Sequence, residues 1–150
     1  MTLCGTNPYV SAGCGTIFKI DPRTGVEQVI YSFKGCDTTG YCVDGQYPDP
    51  LIAVNGTLYG GTQFGGVDNT LNVGTVFELS RSGSSYKESV LYSFTGATDG
   101  ESPDGGLLYV NGTLYGATQI GGPGIRAGGC NVYASKSPKW CGAIFALKLH

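Results

Sequence analysis

At 150 residues, 41% apolar and 11% aromatic, the chain carries enough hydrophobic material to bury one core and too much to stay disordered. Its net charge of −2, with nine Lys and Arg scattered along it, offers no basic stripe to neutralise phosphates, which argues against a nucleic-acid partner. No apolar run approaches the roughly 20 residues that span a bilayer, and the 26 glycines lack the every-third-residue spacing of collagen, so glycine serves here as turn punctuation.

Read in chain order, the sequence is built from repeated words. Thr2-Leu3-Cys4-Gly5 is a partial word, equivalent to the later Thr57-Leu58-Tyr59-Gly60. Gly15-Thr16-Ile17-Phe18-Lys19-Ile20 and Val29-Ile30-Tyr31-Ser32-Phe33 follow, then Asp44-Gly45-Gln46-Tyr47-Pro48-Asp49, then Leu51-Ile52-Ala53-Val54 and Asn55-Gly56-Thr57-Leu58-Tyr59-Gly60. The same order returns as Gly74-Thr75-Val76-Phe77-Glu78-Leu79, Ser89 to Phe94, Asp99 to Asp104, Leu107 to Val110 and Asn111 to Gly116, the second Asn-Gly-Thr-Leu-Tyr-Gly falling about 56 residues after the first. Gly142-Ala143-Ile144-Phe145-Ala146-Leu147 is a third copy of the Gly-Thr-Val-Phe word.

Each word reads as a strand, because apolar residues alternate with polar or small ones between turn residues. Val90, Tyr92 and Phe94 are expected on one face, with Leu91 and Ser93 on the other, and Val29, Tyr31 and Phe33 repeat the pattern; Phe18, Phe77 and Phe145 hold equivalent places. Asn55-Gly56 and Asn111-Gly112 predict tight type I′ hairpins, in which both central residues need positive φ. One cycle is then four strands: Leu51 to Val54, Leu58 to Gln63, Thr75 to Leu79 and Ser89 to Phe94.

The expected fold class is all-β, in tandem four-stranded antiparallel repeats of the kind that form β-propeller blades; a sandwich and an open solenoid are the competing architectures. The words make about ten strands, or two and a half blades, whereas closed propellers use about four to eight. A single domain is expected over residues 1–150, divided into a partial repeat 1–14, repeats 15–66 and 67–122, and a partial repeat 123–150. The terminal strands around Thr2 and Leu3, and around Ile144, Phe145 and Leu147, would offer unpaired edges to another copy.

Six cysteines fall in sequence-local pairs, Cys4 with Cys14, Cys36 with Cys42, and Cys130 with Cys141. Fifteen pairings are formally possible, and the local one fits the repeat frame without crossing a sheet. Zinc is the rival reading, but no two-residue Cys knuckle is present and His150 is the only histidine. Disulfides imply an oxidising compartment and an extracellular or cell-surface location. Met1 to Cys4 lacks the regions of a signal peptide, so export implies a leader removed or left out.

The string Gly-Thr-Val-Phe-x-Leu, then Leu-Tyr-Ser-Phe-x-Gly-x-x-Asp-Gly-x-x-Pro, then Gly-x-Leu-Tyr-Gly-x-Thr-x-x-Gly-Gly resembles the GloVer (Gloeo/Verruco) repeat of secreted bacterial proteins. Leu91 to Gly96 with Asp99, Gly100 and Pro103 matches it, as do Leu114, Tyr115, Gly116, Thr118, Gly121 and Gly122. The resemblance implies tandem, propeller-like, exported β repeats, and no catalytic residues. It departs at the Cys36 to Cys42 insertion, at the segment from Gly124 to Trp140, and at Cys4 in place of tyrosine.

Asp44, Asp49, Asp99 and Asp104 occupy matched places in Gly- and Pro-containing loops. Carboxylates at such offsets could hold Ca²⁺, yet Asp-Gly and Pro-Asp are also good turn formers and the dense acidic ladder of an EF-hand is missing, so turn chemistry is the favoured reading. Symmetric repetition of these carboxylates, the absence of a Gly-x-Ser-x-Gly elbow and the terminal position of His150 argue against an enzyme and call for no cofactor. Trp140, Tyr133, Tyr41, Tyr47 and Tyr9 lie in or near loops, where an aromatic face could stack on a sugar or pack over a cystine. Asn55 and Asn111 begin glycosylation sequons already explained by their turns. The expected role is an extracellular structural or adhesive protein whose partner is itself, in a filament or ring; the alternative is a carbohydrate-binding module with glycan partners.

Overall fold

The computed structural model describes residues 14–36, 42–66, 72–96, 98–122 and 142–149. Strands β1 (Thr16–Ile20), β2 (Glu27–Ser32), β3 (Gln46–Pro48), β4 (Ile52–Val54), β5 (Thr57–Phe64), β6 (Thr75–Ser82), β7 (Ser85–Ser93), β8 (Glu101–Val110), β9 (Thr113–Ile120) and β10 (Ile144–Lys148) form three antiparallel sheets, and no helix occurs among the described residues. The chain is all-β, as its words require.

Pairing follows chain order. The first sheet is β1-β2; the second runs β3-β5-β6-β7, with β4 also on β5; the third is β10-β9-β8. Both Asn-Gly turns adopt positive φ at both positions, 50° and 84° at Asn55 and Gly56, 46° and 82° at Asn111 and Gly112, as type I′ hairpins demand. β3 and β4 together correspond to the single strand β8. Pro50, which has no N–H to pair, separates the first two, whereas β8 continues through Gly105 and Gly106 with a register shift between Asp104 and Leu108.

The alternation expected along the Leu-Tyr-Ser-Phe words is broken by a bulge at the same place in both copies. Ile17 pairs Tyr31 and Phe18 pairs Val29, while Val76 pairs Tyr92 and Phe77 pairs Val90, so Ile30 and Leu91 are extra residues. Residues directly opposite share a face, and one inserted residue turns the strand over. Val90 therefore shares a face with Phe77, Tyr92 and Phe94 lie on the opposite one, and Leu91 joins the core that holds Phe94.

Two cores separate the three sheets. In the first, Ile17, Ile30, Tyr31 and Phe33 of one sheet meet Phe77, Leu79, Leu58 and Tyr86 of the next. In the second, Val76, Tyr59, Ile52 and Phe94 meet Leu114, Leu107, Phe145 and Leu147. The second sheet is thus covered on both faces, and Val76, Phe77 and Leu79 are fully buried. Edge-to-face phenylalanine pairs repeat across the two cores: Phe33 and Phe77 at 5.4 Å, Phe94 and Phe145 at 5.1 Å. Burying each such ring contributes about 1.5–3 kcal/mol, and the pairing about 0.5–1.5 more.

Backbone bonds also join one sheet to the next. Tyr47 N–H donates to Cys14 C=O at 3.2 Å, and Ser102 N–H to Val73 C=O at 2.7 Å. Both donors hold positive φ, 55° and 52°. The Asp44 to Asp49 and Asp99 to Asp104 words, expected as loops, are consequently tethered and partly extended: Asp104 lies inside β8, and Asp49 directly follows β3.

Candidate functional site

The repeated aspartates hold turns. Asp44 Oδ2 accepts from Tyr31 Oη at 2.7 Å and from Lys34 N–H at 2.9 Å; Asp99 Oδ2 accepts from Tyr92 Oη at 2.9 Å and from Thr95 N–H at 2.9 Å. The Asp-Gly word is thereby fastened to the Tyr of the preceding Leu-Tyr-Ser-Phe word in both copies. Burial works to raise the Asp99 carboxyl, but the Thr95 side-chain and backbone hydrogen bonds, with that of Tyr92, outweigh it and hold the carboxyl below the usual range.

Glu88 enters only the first clasp. Its Oε2 lies 3.5 Å from Tyr31 Oη, while Oε1 of Glu88 and Oδ1 of Asp44 are buried without a hydrogen-bond partner. Burial, then the Asp44 charge, pushes the Glu88 carboxyl up to about 7, against the pull of Lys34 and the Tyr31 hydroxyl. Burial and the two carboxylates drive the Tyr31 hydroxyl far above its usual range. Sequence reading missed Glu88; its signal was the recurrence of Glu27 and Glu88 two residues before Val29 and Val90.

Asp49 and Asp104 form a second repeated pair, each receiving a glutamine amide: Gln63 Nε2 at 3.4 Å and Gln119 Nε2 at 2.6 Å. Burial, only partly offset by Gln63 and reinforced by the neighbouring Asp104 charge, raises the Asp49 carboxyl to about 6. No group of three or more metal-ligating side chains occurs among the described residues. Asp44 and Asp99 thus fasten turns, and Asp49 and Asp104 pair with glutamine amides.

Cys36 and Cys42 form a disulfide, and Gln46 Nε2 donates to Cys42 Sγ at 2.9 Å. Cys14 is also disulfide-bonded. Cys4, Cys130 and Cys141 lie outside the described residues, as do Trp140, Tyr133, Tyr41 and Tyr9. Tyr47 is in β3, 38% exposed, and packs edge-to-face on Phe64 at 5.6 Å.

The outer faces of the first and third sheets carry exposed apolar residues. Phe18 and Ile20 are 51% and 55% exposed, although their equivalents Phe77 and Leu79 are 0% exposed. On the third sheet Leu108, Val110, Tyr115 and Ile144 are exposed, the last at 79%, where their equivalents Ile52, Val54, Tyr59 and Val76 pack into the second core. Of the residues expected at an assembly edge, Ile144 lies on this open face, Phe145 and Leu147 turn inward to the second core, and Thr2 and Leu3 lie outside the described residues. Beside β10 a groove of about 360 Å³ opens between the second and third sheets, lined by Val76, Tyr92, Phe94, Asp99, Ile144 and Phe145 among others.

Comparison with known proteins adds one family. A family model described as the Gloeobacter/Verrucomicrobia repeat matches residues 2–145. No curated protein and no solved structure matches the chain.

Proposed function

We propose that this chain, which belongs to the Gloeobacter/Verrucomicrobia repeat family, is an extracellular structural or adhesive protein of propeller-like repeats whose copies join head to tail. The observation that carries the reading is the exposure of Phe18, Ile20 and Ile144 against the complete burial of Phe77, Leu79 and Val76 at the same repeat positions. A second copy that sets its Phe18 face on the Ile144 face would repeat a junction the chain already builds twice. Such a contact is heterologous: it yields a ring if the rotation closes and a filament if it does not. The disulfide-bonded Cys14, Cys36 and Cys42 support an oxidising compartment outside the cytoplasm. The proposed role is mechanical and assigns the chain no reaction.

Light scattering after size exclusion, with electron microscopy of the unreduced protein, tests this. Concentration-dependent species larger than a monomer are expected, and Phe18→Asp or Ile144→Asp should each give monomers. A mixture of the two variants retains one intact Phe18 face and one intact Ile144 face, and should stop at dimers. A monomer at every concentration, or variants that assemble like the native chain, would overturn the reading.

A further inference from the structure

The two copies of the Tyr-to-Asp clasp differ at one carboxylate oxygen. In the second copy both oxygens of Asp99 are satisfied: Oδ2 accepts from Tyr92 Oη and Thr95 N–H, and Oδ1 accepts from the Thr95 hydroxyl. In the first copy the residue after Phe33 is Lys34, which donates its backbone N–H to Asp44 Oδ2 as Thr95 does to Asp99, but has no hydroxyl to offer Oδ1. Asp44 is nevertheless the more deeply buried of the two, only 2% exposed, and its Oδ1 has no hydrogen-bond partner. Native structures seldom leave such an atom unsatisfied, because its desolvation goes uncompensated.

Glu88 brings a second oxygen of this kind to the same place. β7 carries it across the junction to Tyr31, whose Oη lies 2.7 Å from Asp44 Oδ2 and 3.5 Å from Glu88 Oε2, so both carboxylates converge on one hydroxyl. Glu88 Oε1 is likewise buried without a partner. Tyr31 has a single proton to donate, and the Lys34 side chain is exposed. Two carboxylates held this close in a desolvated place repel each other, and a positive charge beside them removes that cost. The donors are hard oxygens, and their two negative charges match a divalent ion.

We propose that Asp44 Oδ1 and Glu88 Oε1 form a binding site for a hard divalent cation, calcium by preference, which ties the connection between β2 and β3 to β7. Calcium accepts irregular shells of about six to eight oxygens, whereas magnesium demands a near-ideal octahedron and gives up water reluctantly. With two side-chain ligands rather than three or more, most of the shell is water, and the affinity belongs in the range of extracellular calcium modules, a Kd of about 10⁻⁴–10⁻³ M. The Asp99 clasp, its oxygens already satisfied, takes no cation. Both ligands lie within one chain, so the site stands apart from the assembly reading.

Calorimetric melts at about pH 8 test this, each chain being compared with itself in roughly 10 mM calcium chloride and in sodium chloride of matched ionic strength. Calcium should raise the Tm of the native chain by about 3–8 °C. Glu88→Gln removes one ligand charge, and Lys34→Thr gives Asp44 Oδ1 the hydroxyl that Asp99 enjoys; each should lose most of the shift. Asp49→Asn, at the other aspartate pair, should keep it. Lys34→Thr separates a built site from a diffuse one, because loss of a lysine would strengthen the attraction of calcium to a merely acidic surface. The absence of a calcium shift in the native chain, a shift of native size in Glu88→Gln or Lys34→Thr, or its loss in Asp49→Asn would each overturn the proposal.

Discussion

Gly74 lies directly beneath Pro103. A Cβ built on Gly74 would stand 2.5 Å from Pro103 Cδ, and one on Gly15 would stand 2.5 Å from Pro48 Cδ. Each proline belongs to the sheet after the one its glycine precedes, so the Gly-Thr-Val-Phe and Asp-Gly-x-x-Pro words recur together because they touch across a junction. Gly74 also has φ +110°, which an L side chain rarely adopts. Gly74→Ala should therefore cost about 3 kcal/mol or more in urea unfolding. Gly56→Ala, at φ +84° with nothing within 4 Å, should cost only about 1 kcal/mol. Equal losses at the two positions would remove packing against Pro103 from the account.

Thr62 is a buried hydrogen-bond hub rather than a packing residue. Its hydroxyl donates to Phe64 C=O at 2.9 Å, and so accepts from Thr75 Oγ1 at 2.8 Å and Thr75 N–H at 3.2 Å. Thr62→Val preserves shape and strands these groups, which should cost about 2–3 kcal/mol. Thr62→Ser keeps the hydroxyl and loses one methyl, about 1 kcal/mol. A Val variant as stable as the Ser variant in chemical denaturation would contradict this assignment.

Stability should depend on pH through Glu88. Its carboxyl rises from 4.5 to about 7 on folding, so between those values the folded chain holds a proton that the unfolded chain has released. That stabilisation is present at the acid end, declines as pH rises through the window, and is gone above pH 7; Asp49 acts with the same sign up to about 6. Glu88→Gln should leave stability near pH 4.5 unchanged and raise it at pH 8 by on the order of 1–2 kcal/mol, discounted for partial solvent access. Thermal melts from pH 4 to 8 that run parallel for the two proteins would contradict this.

The Cys36–Cys42 disulfide closes a short loop against the buried Gln46. Replacing both cysteines by serine should cost about 2 kcal/mol, or roughly 5–8 °C in Tm by calorimetry, and leaves the Cys14 disulfide untouched. A Tm within a degree of the native protein would show that the loop is held by its other contacts.

Local demands were legible in the chain itself. Asn55-Gly56 and Asn111-Gly112 declare their turns because few other residue pairs accept positive φ at both positions, and the recurring Phe18, Phe77 and Phe145 declare equivalent strands because the words around them repeat. The bulges at Ile30 and Leu91 were not legible, since an inserted residue leaves no break in an apolar word and its effect is set by the partner strand.

The sequence by itself determined an all-β chain of recurring strand words joined by tight turns, because turn chemistry and period-two patterning act between neighbours. Only the tertiary structure decided that Gly74 supports Pro103, that Glu88 leans on Tyr31 and Asp44, and that Phe77 is buried while Phe18 stands open. Those depend on which sheet lies against which, so equivalent positions such as Phe18 and Phe77 differ in burial although their words match in pattern.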